Sequence, residues 1–519
     1  MGRTTGLLVL LSLASQALSL GIQVALAHRF GAGREVDAYV AALTLPGLVE
    51  AFLLAALVQL LLPALVRRLD RGEREEAWRA LATLVTVLGG GCLLLSVPVA
   101  LSGRALIALM APGLDPAART LAGGYLAGLF PGLALSVASA LLTQAFHAER
   151  RFLWPAAAGT VSQLVPLAAV ILLGDRLGLW SLVLGTLAAR LAVLVPLAIG
   201  LARRGVPLRP RLDLAHPDVR RMAWLALPAM AAVASARMNG AVDRFFVSFL
   251  EPGKLAALGY ADRVVSLVLA VLVSPVTAVL YPGLAGFEAR GDRPGLFRAI
   301  DAGLRGVIAG MIPVAVALTV LAAPALTVLF QHGRFSATDT AQVAGVIGCY
   351  AGIVVLGGVG SLLTRGFYAV GNTRDPMIWG GLLPVAFNIV LDAAVYRPFG
   401  VYGVAAVTSL NAIAGLPVLY LVLRRRLGAP VIPGWGSFLL RSLAAGAAMA
   451  AVTRMATGAL SFEGDVAAGI GSLAVAAGAG LSAYAIAAMA LRIEPAVDAG
   501  VRILAALRAR GLLPSGALR

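Results

Sequence analysis

Asn388 and Asp392 stand four residues apart in a run that is otherwise almost wholly apolar. That spacing puts both side chains on one face of a helix. A carboxylate and an amide carbonyl, joined by a second carboxylate such as Asp243, make an all-oxygen donor set of the kind a hard cation such as sodium takes. Asp392 could instead carry a proton, and the plainest alternative is a hydrogen bond between two polar groups on neighbouring helices. Arg237 and Arg244 are seven residues apart and so share a helix face. They could hold an anionic headgroup, or either could form one ion pair with Asp243 or Glu50. In Tyr260-Ala261-Asp262-Arg263 the guanidinium could grip a phosphate with two parallel hydrogen bonds. It could equally reach out to an interface or pair with its neighbours. Glu50, Arg190, Arg305 and Arg365 are further charges within apolar runs, and Asp37 opens one.

The elements that must position these residues follow from composition. Of 519 residues 60% are hydrophobic and 13% are charged, against about 25% charged in an average soluble domain. The mean hydropathy is +0.90. A soluble enzyme of this length would need polar surfaces that these residues cannot build, and disorder is excluded for the same reason. An all-α polytopic membrane protein remains. No Gly-rich loop ends in Lys-Ser/Thr, so hydrolysis of ATP is not expected. His28, His147, His216 and His332 are scattered without metal spacing, and Cys92 and Cys349 both lie in apolar stretches. Gly89-Gly90-Gly91 reads as a site of close helix packing.

Apolar runs of about 20 residues mark about fourteen transmembrane helices. Loops after spans 2, 4, 6, 8 and 12 carry the arginines: Arg67, Arg68, Arg71, Arg74 and Arg79; Arg150 and Arg151; Arg203, Arg204, Arg209, Arg211, Arg220 and Arg221; Arg290, Arg293 and Arg298; Arg424, Arg425 and Arg426. The opposite loops carry one or two basic residues each, among them Lys254, the sole lysine. Most of the net charge of +17 therefore orients loops rather than binding nucleic acid. The positive-inside rule places both termini in the cytoplasm. Met1 to Arg3 precede a run longer than a signal-peptide core, which is expected to be a retained first helix. Arg502, Arg508 and Arg510 suggest a basic amphipathic segment on the cytoplasmic surface.

An internal repeat divides the chain. Pro63, Arg71-Gly72, Arg74 and Trp78-Arg79-Ala80 return as Pro282, Arg290-Gly291, Arg293 and Phe297-Arg298-Ala299, at a constant offset of 219. Pro155, Gly159, Pro196 and Arg203-Arg204 return as Pro376, Gly380, Pro417 and Arg424-Arg425 at an offset of 221. Each repeat holds an even number of spans, so the two halves keep one orientation and form a parallel repeat. The expected organisation is an N-lobe of helices 1–6 over 1–205, a cytoplasmic linker over 206–219, and a C-lobe of helices 7–12 over 220–427. Helices 13–14 and a basic tail follow over 428–519. Two six-helix lobes facing each other describe alternating access. Charges inside such a bundle are costly, so each needs a partner or a polar cavity.

Phe30-Gly31-Ala32-Gly33, Asp37-Ala38-Tyr39 and Leu45-Pro46 resemble the opening of the MurJ/MviN lipid II flippase family, within the multidrug/oligosaccharidyl-lipid/polysaccharide exporter superfamily. The resemblance continues through Tyr260-Ala261-Asp262-Arg263, Leu329-Phe330-Gln331-His332-Gly333-Arg334-Phe335 and Gly366-Phe367-Tyr368, and covers nearly the whole chain. It implies a multi-pass protein of the bacterial inner membrane that is not an enzyme and flips an undecaprenyl-diphosphate-linked sugar. It also implies a sodium site at Asp243, Asn388, Asp392, Val404 and Thr408, and no covalently bound cofactor. Cargo-facing roles fall to Asp37 and Asp262-Arg263, with Glu50, Arg237, Arg244 and Arg365 lining the same path. Membrane lipids, cell-wall synthesis enzymes and a monomeric state are the implied partners and assembly. One departure is specific. Positions where the family carries cavity arginines read Gln16 and Ile22 in the first span and Glu50-Ala51 in the second. Either the arginines of the second lobe hold the diphosphate, or the cargo is another lipid-linked oligosaccharide. A drug or cation exporter and a non-transporting scaffold for envelope synthesis are the remaining alternatives.

Overall fold

A helix bonds its own backbone polar groups, which lipid cannot do for it. Every regular element among the described residues is accordingly helical. The computed structural model describes residues 2–495 apart from 208, 373 and 463, with side chains outside 2–3, 55–59, 223, 225–236, 273–285 and 288–289. Arg502, Arg508 and Arg510, read as part of a basic surface segment, lie outside the described residues.

In chain order the helices are α1 (Gly2–Phe30), α2 (Arg34–Asp70), α3 (Arg74–Leu84), α4 (Gly90–Met110), α5 (Pro116–Leu129) and α6 (Gly132–Ala148). Next come α7 (Leu153–Ser162), α8 (Leu164–Leu177), α9 (Trp180–Ala202), α10 (Pro217–Val247), α11 (Lys254–Ala289) and α12 (Arg293–Leu329). The last are α13 (Ala337–Cys349), α14 (Ala351–Ala369), α15 (Arg374–Met377), α16 (Leu383–Leu427), α17 (Trp435–Ala459) and α18 (Val466–Ala490). One turn of π-helix, Val85–Gly89, joins α3 to α4, and another, Ile378–Leu382, joins α15 to α16. Gly89-Gly90-Gly91 lies where the first π turn enters α4. A Cβ at Gly90 or Gly91 would meet nothing within 4 Å, so neither of these two is required for close helix packing.

Twelve stretches of described residues are long and apolar enough to cross a bilayer. One of them, Arg374–Leu427, has 54 residues. At about 1.5 Å per residue it would reach ~80 Å, more than twice a hydrocarbon core of about 30 Å. Gly400, at φ 58° and ψ −146°, breaks it. Residues with a Cβ almost never adopt that conformation, so the glycine lets the chain turn back and cross a second time. With α10, a helix of 31 residues, the spans reach the number the sequence predicts. Their outward faces are apolar: Leu101 is 86% exposed, and Leu94 and Met455 are each 75% exposed. Such surface is at home only in lipid.

Two compact units form. Unit 1 comprises Met1–Tyr260, His332–Asp339 and Asn388–Val404. Its centre is α2, against which α5, α6 and α10 pack, while α1 rests on α7 and α8. Polar contacts set its loops. Asp115 accepts hydrogen bonds from the Ala117 and Ala118 N–H groups, both at 3.0 Å, and caps α5, which opens with Pro116. These bonds, together with the Arg34 guanidinium 2.8 Å away, hold the Asp115 carboxyl below the usual carboxylate range. Gly333, at φ +63°, lets the turn after α12 pass against α1, where the Arg334 N–H donates to the His28 carbonyl at 2.8 Å.

Unit 2 comprises Ala261–Gln331, Thr340–Phe387 and the chain from Ala405 onward. Here α12 is the axis, packed by α14, α17 and α18. Phe297, Ile300, Leu363, Phe367 and Leu423 fill the interior. The Tyr484 hydroxyl of α18 donates to the Ala309 carbonyl of α12 at 2.6 Å. The units do not coincide with the repeat halves, since α10 joins α2 in unit 1. Packing and chain repetition divide the same residues differently.

Candidate functional site: polar residues inside the spans

One buried polar cluster is built from α10 and the Asn388–Val404 stretch of α16, both in unit 1. Asp243 comes from α10; Asn388 and Asp392 come from one face of α16. Asn388 and Asp392 are fully buried, and Asp243 is 4% exposed. The Asn388 amide donates to Asp243 Oδ1 at 2.6 Å and to Asp392 Oδ2 at 3.1 Å. Its two N–H bonds are thereby spent on two carboxylates. Asn388 Oδ1 and Asp392 Oδ1 are buried and accept no hydrogen bond. Two carboxylates brought onto one neutral amide, away from water, are costly unless positive charge compensates them, whether from a side chain, a cation or a proton. Among the described residues no group of three or more His, Cys, Asp and Glu side chains gathers. The donors here are oxygens only, which favours a hard cation over a transition metal. Val404 is fully buried in the same unit, whereas Thr408 belongs to unit 2.

Asp37, in the first turn of α2, does something its sequence position does not announce. It is 3% exposed, and its two oxygens accept from the Gly253 N–H at 2.5 Å and the Ala256 N–H at 2.6 Å. These are orphan donors at the start of α11. The carboxylate is thus an N-cap supplied from another helix, well placed for the positive end of the α11 dipole. The Tyr260 hydroxyl, one turn further on, donates to the Gly31 carbonyl at 2.9 Å. Together these bonds fix the start of α11 against the α1–α2 turn.

The charged residues separate into pairs. Glu50 of α2 meets Arg190 of α9 at 3.1 Å, with both side chains about a quarter exposed. The sequence marks both as intramembrane charges without pairing them. Arg244 Nη1 donates to the Thr44 hydroxyl at 3.3 Å. Arg237 lies six residues before Asp243 on α10 and is exposed. In unit 2, Asp262 and Arg263 are exposed on α11, and Arg365 is half-buried on α14. The structure therefore gathers Asp243, Asn388 and Asp392, pairs Glu50 with Arg190, and commits Asp37 to backbone.

Arg305 sits in a network of which the sequence shows only half. Asp301, one helical turn earlier, bonds Arg305 Nε at 3.0 Å through one oxygen. Its other oxygen accepts from the Tyr420 hydroxyl at 2.9 Å and Trp435 Nε1 at 2.8 Å. Arg305 also donates to the Pro433 carbonyl at 3.0 Å and lies 5.2 Å from the Trp435 ring centroid. Asp301 thus accepts from α12, α16 and the start of α17 at once, and the cluster fastens α17 to α12 and α16.

A family model described as "Lipid II flippase MurJ" matches residues 26–467. A probable lipid II flippase MurJ of Synechocystis is 28% identical over 444 residues, covering 83% of each chain. The lipid II flippase MurJ of Burkholderia cenocepacia is 25% identical over 456 residues, covering 85% of this chain and 87% of that one. Among solved structures, a lipid II flippase MurJ in an inward closed conformation superposes with a TM-score of 0.76 at 21% identity. That match covers 93% of this chain and 99% of the other, and it establishes the fold.

Proposed function

This chain belongs to the lipid II flippase MurJ family, and we propose that it carries lipid II, an undecaprenyl-diphosphate-linked sugar, across the bacterial inner membrane by alternating access. The match of that family over residues 26–467 carries the reading. It runs from the last turn of α1 to the start of α18. The protein is a transporter and not an enzyme, and membrane lipids are its solvent and neighbours. The sugar headgroup travels between the two repeat halves while the polyprenyl tail stays in lipid. Both termini face the cytoplasm, because the arginines gather in the loops after spans 2, 4, 6, 8 and 12. The protein works as a monomer, and cell-wall synthesis enzymes take up the product.

Positive charge for the diphosphate comes from Arg237, Arg244, Arg263 and Arg365. The family's usual first-lobe arginines are replaced here by Gln16, Ile22 and Glu50, and Arg190 is engaged with Glu50. Asp262, next to Arg263 in the sequence, is assigned to the same cargo path. Asp37 acts indirectly, by holding the start of α11.

Sodium suits the cluster of Asp243, Asn388 and Asp392, where buried carboxylate and carbonyl oxygens accept no hydrogen bond. Val404 and Thr408 complete the set by family resemblance. The ion supplies the positive charge that these oxygens lack. Its entry couples the protein to the membrane potential, worth about 2.3 kcal/mol per charge per 100 mV. Expression of this chain should rescue a bacterial strain depleted of its own lipid II flippase. Arg237→Ala combined with Arg263→Ala should reduce that rescue at least ~10-fold, because each lost guanidinium removes a charge-assisted grip on phosphate. Full rescue by the double variant at equal protein level would remove the cargo-arginine assignment.

A further inference from the structure

The geometry points to a binding site for the phosphate of an anionic membrane phospholipid, in the cavity between the end of α10 and the Gly400 break of α16. The cavity has a volume of about 510 Å³ and is lined by Phe249, Glu251, Lys254, Tyr396, Arg397 and Tyr402, among others. All of these residues belong to unit 1. Two cations from distant parts of the chain, Lys254 and Arg397, line it, with Glu251 as the one carboxylate among the lining residues. Lys254 Nζ is 3.9 Å from Glu251, whose side chain is 85% exposed and largely screened by water. Arg397 donates through Nε to the Tyr396 hydroxyl at 2.9 Å and lies 5.6 Å from that ring's centroid. Among the described residues no carboxylate pairs with Arg397. The Tyr396 contact holds the guanidinium while its Nη groups stay available for an oxyanion.

Two further features select a lipid over a soluble anion, and a third favours an anion. The cavity lies at the ends of spans, where α10 gives way to α11 and where α16 breaks, so it sits at the level of lipid headgroups. Its rim is aromatic and open, with Phe399 65% exposed and Tyr402 42% exposed. Such rings belong to the interface between headgroup and acyl chain and would add nothing for a free phosphate. The helix that restarts after Gly400 contributes its first residues, Val401 and Tyr402, to the wall, and the start of a helix favours an anion. This is the face opposite the arginine-rich loops. The sole lysine of the chain is placed here, where a compact, strongly hydrated charge suits a phosphodiester.

The test uses the full-length protein in a neutral detergent, with phosphatidylglycerol or phosphatidylcholine added as mixed micelles. Lipid retained on the protein is counted by native mass spectrometry. Wild type should retain phosphatidylglycerol with roughly tenfold or greater advantage over Lys254→Gln combined with Arg397→Gln, about what two interfacial charges contribute. Phosphatidylcholine should not distinguish them. The charge-keeping exchange, Lys254→Arg with Arg397→Lys, should retain phosphatidylglycerol as wild type does. Equal retention by wild type and the Gln variant would overturn the site. So would a dependence on the two cations seen with undecaprenyl diphosphate alone, which would make the cavity part of the cargo path.

Discussion

Asp37→Ala should lower the unfolding midpoint of the detergent-purified protein by several degrees and reduce the amount recovered from membranes. The carboxylate is buried and bonds the Gly253 and Ala256 N–H groups of α11. Alanine would leave both donors without a partner in a place water does not reach. Each such donor costs about 1–3 kcal/mol, so the substitution should cost about 2–6 kcal/mol in all. Asp37→Asn keeps one acceptor oxygen and should recover roughly half of that loss. The pair of variants separates structure from transport. If Asp37 acts only as a cap, the transport remaining in Asp37→Asn should follow the amount of folded protein. A variant folded as well as wild type but unable to transport would instead place Asp37 on the cargo. Thermal unfolding followed by tryptophan fluorescence gives the first quantity, and an unchanged midpoint for Asp37→Ala would contradict the capping assignment.

Asp392→Asn should have an opposite sign in sodium-free buffer. There the wild type must either bear the repulsion of two carboxylates on one amide or take up a proton at a cost. Removing one relieves their repulsion, so the variant should unfold at a higher temperature than wild type. On addition of sodium the order should reverse. A ligand that binds only the folded protein stabilises it by about 2.7 kcal/mol at 100 times its Kd. The wild type should climb along that curve, whereas Asp392→Asn, with half the anionic charge gone, should stay flat. Asp243→Asn should behave in the same way. If sodium moves wild type and variant equally, the ion is bound elsewhere. If the wild type responds to pH and not to sodium, the cluster holds a proton.

Much of this is legible in the amino-acid sequence, for reasons that lie in particular residues. The i, i+4 spacing of Asn388 and Asp392 names a shared face, and a buried polar face in a lipid-bound helix must find partners; Asp243 is one of them. Arg397-Pro398-Phe399-Gly400 marks the break inside α16, because proline and glycine interrupt an apolar run. What the sequence hides depends on distant pairing. Asp37 meets backbone amides 216 residues away, and backbone donors leave no trace in residue type. Glu50 and Arg190 each stand out as a costly charge, yet nothing in the sequence joins positions 140 residues apart. Asp301 escapes notice because an acid one turn before an arginine, close to a basic loop, looks like a solvated surface pair. Its partners Tyr420 and Trp435 are more than 100 residues away, and their hydroxyl and indole N–H meet on one carboxylate only in the folded chain.

Transport itself is the most direct test. Purified protein in sealed vesicles, with fluorescent lipid II in both leaflets and a membrane-impermeant reagent outside, reports how much lipid II crosses with time. The account predicts crossing that depends on the protein, saturates with lipid II and falls in the Arg237→Ala, Arg263→Ala double variant, while a phospholipid with the same label stays in its leaflet. Lipid II that crosses no faster than in protein-free vesicles, with or without a sodium gradient and a membrane potential, would contradict it.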